Sequence, residues 1–110
     1  MAILHAHPGQ AIDIHPLGAD LPNARSTALF KSAELEVMRI ILLAGKTVPP
    51  HGVPGEITLQ ALEGSIEISY DNTVQRLEAG QLLFLPGGVV HSLRALVDAS
   101  ALLTIVLKPR

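Results

Sequence analysis

The sequence has 110 residues, of which 48% are hydrophobic and 16% charged, with a formal net charge of -2 at pH 7 and no cysteine. A chain of this length predicts one domain that removes about two thirds of its unfolded surface from water, which is enough for a core without disulfides. The scattered basic residues and few aromatic side chains exclude a nucleic-acid-binding protein, and the lack of cysteine excludes thiolate metal sites and cysteine nucleophiles.

Residues 1–25 are rich in His, Pro and Gly and are predicted to form an N-terminal arm that contains one short strand, 11–15. His5 and His7 would share one face of an extended chain, as a metal site requires, but no carboxylate is near them in sequence, which favours a surface arm. The N-terminus lacks the basic start of a signal peptide, and no apolar run reaches the roughly 20 residues that span a bilayer. We therefore expect a cytoplasmic protein without membrane contacts.

Residues 26–110 are predicted to form one β domain. The segment 34–43 allows two interpretations: Ser32 could cap a helix that Gly45 ends, whereas a continuous apolar block with adjacent isoleucines favours a strand. Further short apolar segments recur between turn residues, which is typical of an all-β sandwich or barrel. The predicted strands are 26–30, 34–43, 47–53, 56–62, 65–70, 73–78, 81–85, 91–97 and 101–108.

The strand 65–70 shows the clearest alternation in the chain. Ile66, Ile68 and Tyr70 are predicted to face the core, and the residues between them face water. The Asp-Asn pair at 71–72 then supplies a tight hairpin turn.

The strands 81–85 and 101–108 instead carry apolar side chains on both faces. Charged residues are also few, so the surface available for solvation is small for the size of the chain. We therefore expect a partner subunit to cover part of it and the protein to be a homodimer.

Residues 80–91 predict a strand, a Pro-Gly-Gly turn and a second strand that begins at His91. By the two-residue period, His91 shares one face with Leu93 and Ala95, whereas Ser92 lies on the other. His91 is therefore predicted to point inward. A buried imidazole needs a hydrogen-bond partner or a metal, because leaving it unpaired costs on the order of 1 to 3 kcal/mol.

A second unusual histidine, His51, follows two prolines that restrict the backbone to extended conformations and offer no N–H donors. A Val-Pro-Gly-Glu turn signal comes soon after it. If its Pro-Gly pair is the whole loop of a hairpin, His51 lies opposite Thr58, and Glu56 and Gln60 face the same way. A bulge would shift the phase by one residue and replace Glu56 with Ile57.

Under the first register, two neutral imidazoles and one carboxylate converge, which predicts a divalent-metal site. Its ligands would be His51, His91 and Glu56, with Gln60 as a further oxygen ligand. Two histidines and one carboxylate with open positions suit non-haem Fe(II), and Mn, Ni or Zn can also bind them. No organic cofactor is expected. The alternative is that His51 and His91 are only paired by hydrogen bonds in a pocket.

The spacing within the two stretches resembles the two motifs of the cupin superfamily. Gly45, five residues, His51 and the closing Gly64 follow the frame of the first motif, and Gly80-QLLFL-Pro-Gly-Gly-VV-His91 follows the second. The resemblance implies an RmlC-like jelly roll, a double-stranded β-helix in a single domain of the cupin_2 type. It also implies metal-ligand roles for His51 and His91.

The chain departs from the first motif at the positions that carry its chemistry. Val53 stands at the second histidine, Glu56 falls too early for the acid, and Ile57 stands where counting back from Gly64 places that acid. In the second motif, Ala95 replaces the final Asn. The resemblance therefore implies a degenerate first metal motif.

Cupins of this size include metal-dependent dioxygenases, isomerases and decarboxylases, together with non-catalytic binding domains. The first hypothesis is a small organic ligand in the barrel mouth beside a weakened divalent-metal site, with metal-dependent activity of the dioxygenase or isomerase type. The second is a metal-free small-molecule binding or sensing module. A third is a structural dimer with no ligand.

Overall fold

A computed structural model describes residues 5–108 as a nearly all-β chain of two antiparallel sheets. Sheet A has the strand order β1-β2-β9-β4-β7, and sheet B has the order β3-β8-β5-β6. The strands are β1 (Thr27–Lys31), β2 (Leu35–Leu42), β3 (Thr47–His51), β4 (Ile57–Glu63), β5 (Ser65–Tyr70), β6 (Thr73–Glu78), β7 (Leu82–Leu85), β8 (His91–Ala95) and β9 (Ala99–Val106). The predicted all-β jelly roll is confirmed.

The segment 34–43, for which the sequence allowed a helix or a strand, forms the strand β2. All eight of its residues pair with β9, and β1 pairs along its other edge. A strand between two neighbours can bury apolar side chains on both faces, which explains its continuous apolar block. The helix interpretation is wrong.

The hairpin between β5 and β6 has the predicted tight turn. Tyr70 pairs with Thr73, and the two residues between them have φ values of 47° for Asp71 and 59° for Asn72. Two left-handed residues define the type I′ turn, whose twist matches that of the flanking strands. Asp and Asn adopt this conformation at lower cost than most residues, so the sequence determines the turn.

The core lies between the inner faces of the two sheets. Leu59 of sheet A and Ile66 and Ile68 of sheet B are almost completely buried. Each such side chain contributes about 1.5 to 3 kcal/mol on transfer from water. The core cluster consists of Leu42, Ile57, Leu59, Ala61, Ile66, Ile68, Leu77, Leu85, Leu93, Ala95, Ala99 and Ala101.

The N-terminal segment from residue 5 onward is docked on the outer face of sheet A. The strand predicted at 11–15 does not form, and the one regular element is a short 3₁₀ helix, Gly18–Asn23, which buries Leu21. The backbone N–H of Ala6 donates to the carbonyl of Leu29 in β1. No helix within residues 5–108 is long and apolar enough to cross a membrane.

Arg39 of β2 holds this segment from the outer face of sheet A. Its guanidinium is buried and donates from Nη1 to the carbonyl of His15 at 2.8 Å and from Nη2 to that of Asp13 at 3.2 Å. A buried cation needs such acceptors, because it would otherwise lose its hydration without replacement. Arg39 therefore fixes the course of the chain at residues 13–15.

Glu63, at the end of β4, holds the next residues of the same segment. Its carboxylate accepts the backbone N–H groups of Leu17 at 2.9 Å and Gly18 at 3.0 Å, and the hydroxyl of Ser100. Burial acts to raise the pKa of Glu63, but these three donors and the nearby Arg39 hold the pKa below its ordinary value. We call the two charged residues the Arg39–Glu63 clamp.

Candidate functional site

The pairing of β3 with β8 brings His51 and His91 together. The two residues are direct partners in the register, and their ring centroids lie 4.7 Å apart with the planes tilted by 50°. The register shifts between Val48 and His51, where the two prolines cannot donate to a ladder. The predicted approach of the two histidine stretches is therefore present in the structure.

Each histidine ring is oriented by a carbonyl two residues before it. The Nδ1 of His51 lies 3.2 Å from the carbonyl oxygen of Pro49, and that of His91 lies 3.1 Å from the carbonyl oxygen of Val89. A carbonyl oxygen only accepts hydrogen bonds, so the hydrogen is assigned to Nδ1 in both rings. Both Nε2 atoms are then left with a lone pair, as in histidines that bind metals.

The two imidazoles differ strongly in burial. His91 is only 5% exposed, whereas His51 is exposed to solvent. Within residues 5–108 no buried side-chain nitrogen or oxygen lacks a hydrogen-bond partner, and His91 uses only Nδ1 in such a bond. The ring of this buried histidine lies directly beside the exposed ring of His51.

Two loops close this end of the barrel in backbone contact. The N–H of Gly88 donates to the carbonyl of Val53 at 2.8 Å, which joins the loop after β3 to the loop before β8. A Cβ atom on Gly87 would collide with the carbonyl of Pro54, and one on Gly55 would collide with that of Val106. Both turns therefore require glycine because backbones approach each other closely there.

Tyr70 belongs to the same end of the barrel and was missed as a site residue from the sequence. It pairs with His91 on the side of β8 opposite to His51, so that His51, His91 and Tyr70 form one row across sheet B. Its half-buried ring packs against the core, so the side chain faces inward. The alternation of the strand 65–70 did predict this facing, but the neighbouring strand was not predicted.

Most of the chain matches a known protein family. A family model for the cupin domain matches residues 38–107, more than half of the chain, and this range includes both histidines. The protein is a cupin. The predicted membership is confirmed, whereas no curated protein matches the sequence.

Solved structures agree with this cupin over most of its length. A conserved protein of unknown function from Streptococcus pyogenes is 24% identical, with coverage of 100% of this chain and 98% of that one and a TM-score of 0.76. An RmlC-like cupin from Desulfovibrio desulfuricans is 25% identical, with coverage of 88% and 97% and a TM-score of 0.73. A salicylate 1,2-dioxygenase from Pseudaminobacter salicylatoxidans is 22% identical, with coverage of 66% of this chain and 21% of that one and a TM-score of 0.63. The likenesses below 25% identity show the fold alone.

The hairpin that was expected to add Glu56 and Gln60 to the histidines of this cupin is absent. β3 pairs with β8 in sheet B, whereas β4 pairs with β7 and β9 in sheet A, so the strands on either side of the turn separate into different sheets. The predicted register was wrong because the loop crosses from one layer of the sandwich to the other. Neither the two-residue turn nor its bulged form describes this connection.

No hairpin therefore brings Gln60 or Glu56 to the two histidines. Gln60 alternates with the buried Leu59 and Ala61 and therefore faces the outside of sheet A. Glu56 is exposed, and its backbone carbonyl accepts the N–H of Val106 at 2.9 Å. Within residues 5–108 no three or more His, Asp or Glu side chains are grouped to hold a metal.

The histidines of the N-terminal arm lie outside this site. His5 and His7 are both exposed and belong to no such metal-binding group among the described residues. His15 hydrogen-bonds through Nδ1 to the carboxylate of Asp13 on the surface. The backbone N–H of His15 is the main cause that lowers the pKa of Asp13, followed by its ring.

Proposed function

We propose that this cupin binds a small organic ligand at the barrel mouth, beside a weakened divalent-metal site formed by His51 and His91. The observation that carries the proposal is the matched orientation of the two rings. Each Nδ1 donates to a carbonyl two residues earlier, so both Nε2 atoms are available at the same end of the barrel.

The ring separation supports a shared ion. Two imidazoles on neighbouring positions of one Zn²⁺ or similar ion, each with its nitrogen about 2.1 Å from the metal, have centroids roughly 4.5 to 5.2 Å apart. The observed 4.7 Å lies within that range. Imidazole nitrogen suits Fe, Ni and Zn, and Mn is the weakest of the four candidates in the general order of affinities. Two protein ligands leave several positions for water or an organic ligand.

Within residues 5–108 no carboxylate is grouped with the two histidines, and this determines which ligands such a site favours. Two uncharged imidazoles leave the full positive charge of a divalent ion, so an anionic, chelating molecule is the expected ligand class. Such an ion would supply Lewis-acid polarisation of a chelated carbonyl or enolate. The row of residues would add the Tyr70 hydroxyl as a hydrogen-bond donor, and the burial of His91 would limit the access of water.

Catalysis of the dioxygenase or isomerase type is the further extension of this proposal. A cupin named salicylate 1,2-dioxygenase shares the fold, but this chain covers only 21% of that protein and is 22% identical to it. The likeness therefore gives no substrate. The metal and ligand proposals rest on the histidine pair and are tested first.

Metal binding is tested on protein purified without a histidine tag and titrated with Ni(II) or Zn(II) in a calorimeter. We expect one equivalent to bind the wild type and none to bind a His51→Ala, His91→Ala double variant. The matched control is His15→Ala, which removes an exposed imidazole from the arm and should leave the stoichiometry unchanged. An equal loss in the control, or full uptake by the double variant, would overturn the metal proposal.

A metal-free binding or sensing module is the second candidate. It is favoured by Val53, which stands where the cupin motif has its second histidine and packs against the core. Under this hypothesis the mouth binds the same class of ligand without an ion. Thermal shifts with small organic acids that persist after chelation of metals with EDTA support it, and shifts that vanish with EDTA contradict it.

The homodimer also remains a proposal, supported by the low charge of the chain and by exposed apolar side chains on β7. Light scattering at micromolar concentration tests the dimer, for which we expect twice the chain mass of 11.7 kDa.

A further inference from the structure

The N-terminal arm is attached to sheet A at two places, with a loop between them. On one side of the loop, the backbone N–H of Ala6 donates to the carbonyl of Leu29 at 2.9 Å. On the other side, Nη2 of Arg39 donates to the carbonyl of Asp13 at 3.2 Å. We call residues 7–12, which connect these two attachments, the arm loop.

The arm loop begins with a well-defined turn. Pro8 and Gly9 are its central residues, and the N–H of Gln10 donates to the carbonyl of His7 at 3.0 Å. Gly9 has a φ of 81°, the left-handed conformation that the third position of a type II turn requires. The side-chain Oε1 of Gln10 also accepts the backbone N–H of His7 at 2.9 Å. The turn is therefore held by its own hydrogen bonds.

A cavity of about 320 Å³ lies between the arm loop and the end of β1. Small-molecule sites have volumes of roughly 300 to 1,000 Å³ and a mostly apolar lining with a few polar groups. The apolar part of this lining includes Phe30 and Ile12, which are both half-buried, and Pro8. The cavity is therefore large enough for a small ligand that carries one ring.

A β-bulge in β1 gives the cavity its aromatic side chain. The register of β1 against β2 shifts just before Phe30, which makes Leu29 the extra residue. Phe30 then aligns with Val37, which shares the outer face of sheet A with Arg39. Without the extra residue, Phe30 would align with Glu36 and face the other way. The bulge thus directs the ring of Phe30 to the face on which the arm is docked.

The polar groups of this lining favour a ligand that accepts hydrogen bonds. Lys31 contributes an ammonium group, and Gln10 has its NH₂ group left because its Oε1 already accepts the N–H of His7. Glu36 is the cross-strand partner of Lys31, but within residues 5–108 these two side chains form no ion pair. Among the same residues, no Asp or Glu lines the cavity. An anion would therefore meet no like charge there.

A neighbouring cavity that shares His7 and Gln10 differs in its charge. It also has a volume of about 320 Å³, but its lining includes the carboxylate residue Asp13 together with His5. A carboxylate in the lining repels an anionic ligand at short range. The two cavities are therefore distinguished by charge, and the one at Phe30 and Lys31 suits an anion.

We propose that the cavity under the arm loop binds a small aromatic carboxylate, with its ring against Phe30 and its carboxylate at Lys31 and the Gln10 amide. Offset stacking of two rings and a charge-assisted hydrogen bond are the interactions that this lining offers. The site is separate from the barrel mouth, because His51 and His91 do not line this cavity. It requires no metal and is independent of the function proposed above.

Benzoate is the probe for this site, titrated into ¹⁵N-labelled protein in the presence of EDTA and followed by NMR. We expect saturable shifts of the Gly9 amide and of the Gln10 side-chain NH₂. A ligand of this size reaches a dissociation constant on the order of 1 mM at ordinary ligand efficiency. Benzamide has the same shape without the charge and should bind about 10-fold more weakly or less. Equal binding of the two compounds, or no saturable shift in the arm loop, would overturn the proposal.

Variants of the exposed Lys31 test which group binds the carboxylate. Lys31→Gln should raise the dissociation constant of benzoate about 10-fold, whereas Lys31→Arg keeps the charge and should stay within about threefold of the wild type. The matched control is Lys46→Gln, which removes an exposed lysine from the turn between β2 and β3 and should leave binding unchanged. Undiminished binding by Lys31→Gln, or equal weakening by Lys46→Gln, would contradict the site.

A further variant separates this cavity from the barrel mouth. The His51→Ala, His91→Ala double variant should show the same benzoate shifts at Gly9 as the wild type, whether or not Ni(II) binds the histidine pair. Loss of these shifts in the double variant would assign benzoate to the mouth and overturn the arm-loop site. Shifts confined to Gly88, in the loop before β8, would do the same.

Discussion

The two histidines of the barrel mouth occupy opposite environments although they are direct partners in one ladder. His91 begins a strand whose inward face continues with Leu93 and Ala95, and it is buried. His51 ends a strand that contains two prolines, and it is exposed. The pair therefore joins a rigidly packed group to one that solvent reaches, which suits a site that must hold its geometry and still admit a ligand.

The largest expected effect comes from separating the two stretches that carry these histidines. Gly87→Ala places a Cβ against the backbone carbonyl of Pro54, and the hydrogen bond from Gly88 to Val53 holds the two backbones together next to this contact. We expect a loss of about 3 kcal/mol in the free energy of unfolding. Urea denaturation measures it.

The matched control for this change is Gly52→Ala. Its added Cβ would lie 3.3 Å from the carbonyl oxygen of Val89, a contact that a small shift relieves. We expect it to cost less than about 1 kcal/mol. Equal losses in the two variants would contradict the close backbone approach at Gly87.

An intermediate effect should distinguish the histidines themselves. His91→Ala removes a buried ring and leaves the carbonyl of Val89 without its donor, so we expect a loss of about 2 kcal/mol in stability. His51→Ala changes an exposed ring and should cost less than about 0.5 kcal/mol. Ni(II) binding should be abolished in both variants alike. Equal losses of stability in the two variants would contradict the difference in burial between His91 and His51.

The smallest effect concerns Glu63, whose carboxylate holds the N-terminal arm. Because the pKa of Glu63 is lowered in the folded state, its stabilisation is complete above the ordinary range of a glutamate and is lost as the pH falls through the lowered pKa. We expect Glu63→Gln to cost about 1 kcal/mol at pH 7, since one charge-assisted acceptor becomes neutral. Urea denaturation from pH 7 to pH 3 should show this difference vanish in acid.

The control for this pH dependence is Glu56→Gln. Glu56 is exposed, and within residues 5–108 its carboxylate accepts no backbone donors comparable to the two that Glu63 binds. Its pH profile of stability should follow that of the wild type. A Glu63→Gln profile parallel to that of the wild type at every pH would exclude the proposed role of the charge.

Much of the fold could be predicted because its signals are local. Alternation and turn residues predicted the nine strands to within a few residues and a tight hairpin turn at 71–72, which the structure shows to be of type I′. The ends of β8 and β9 were less accurate: β8 ends at Ala95 instead of 97, and β9 begins at Ala99 instead of 101. No periodicity marks the residue at which pairing stops.

The candidate site was predicted less completely, because strand pairing is not local. The spacing around His51 and His91 indicated that they meet, but β3 finds its partner in β8, far along the chain, and not in the adjacent β4. The short loop between β3 and β4 carries a turn signal and therefore favoured a hairpin. In the two-layer packing, however, the chain crosses at this loop from sheet B to sheet A. Tyr70 was missed for the same reason: its inward orientation was predicted, but its pairing with His91 was not.

The Arg39–Glu63 clamp has a consequence for how the arm can change. Its hydrogen bonds to residues 13–18 are all made with main-chain carbonyl or N–H groups. The clamp therefore depends on the backbone path of these residues and not on their side chains. Substitutions at Ile14 or His15 should therefore leave the docking intact, whereas proline at Leu17 or Gly18 would remove a required donor. The side chains exposed by this segment can therefore change while its position on the barrel stays fixed.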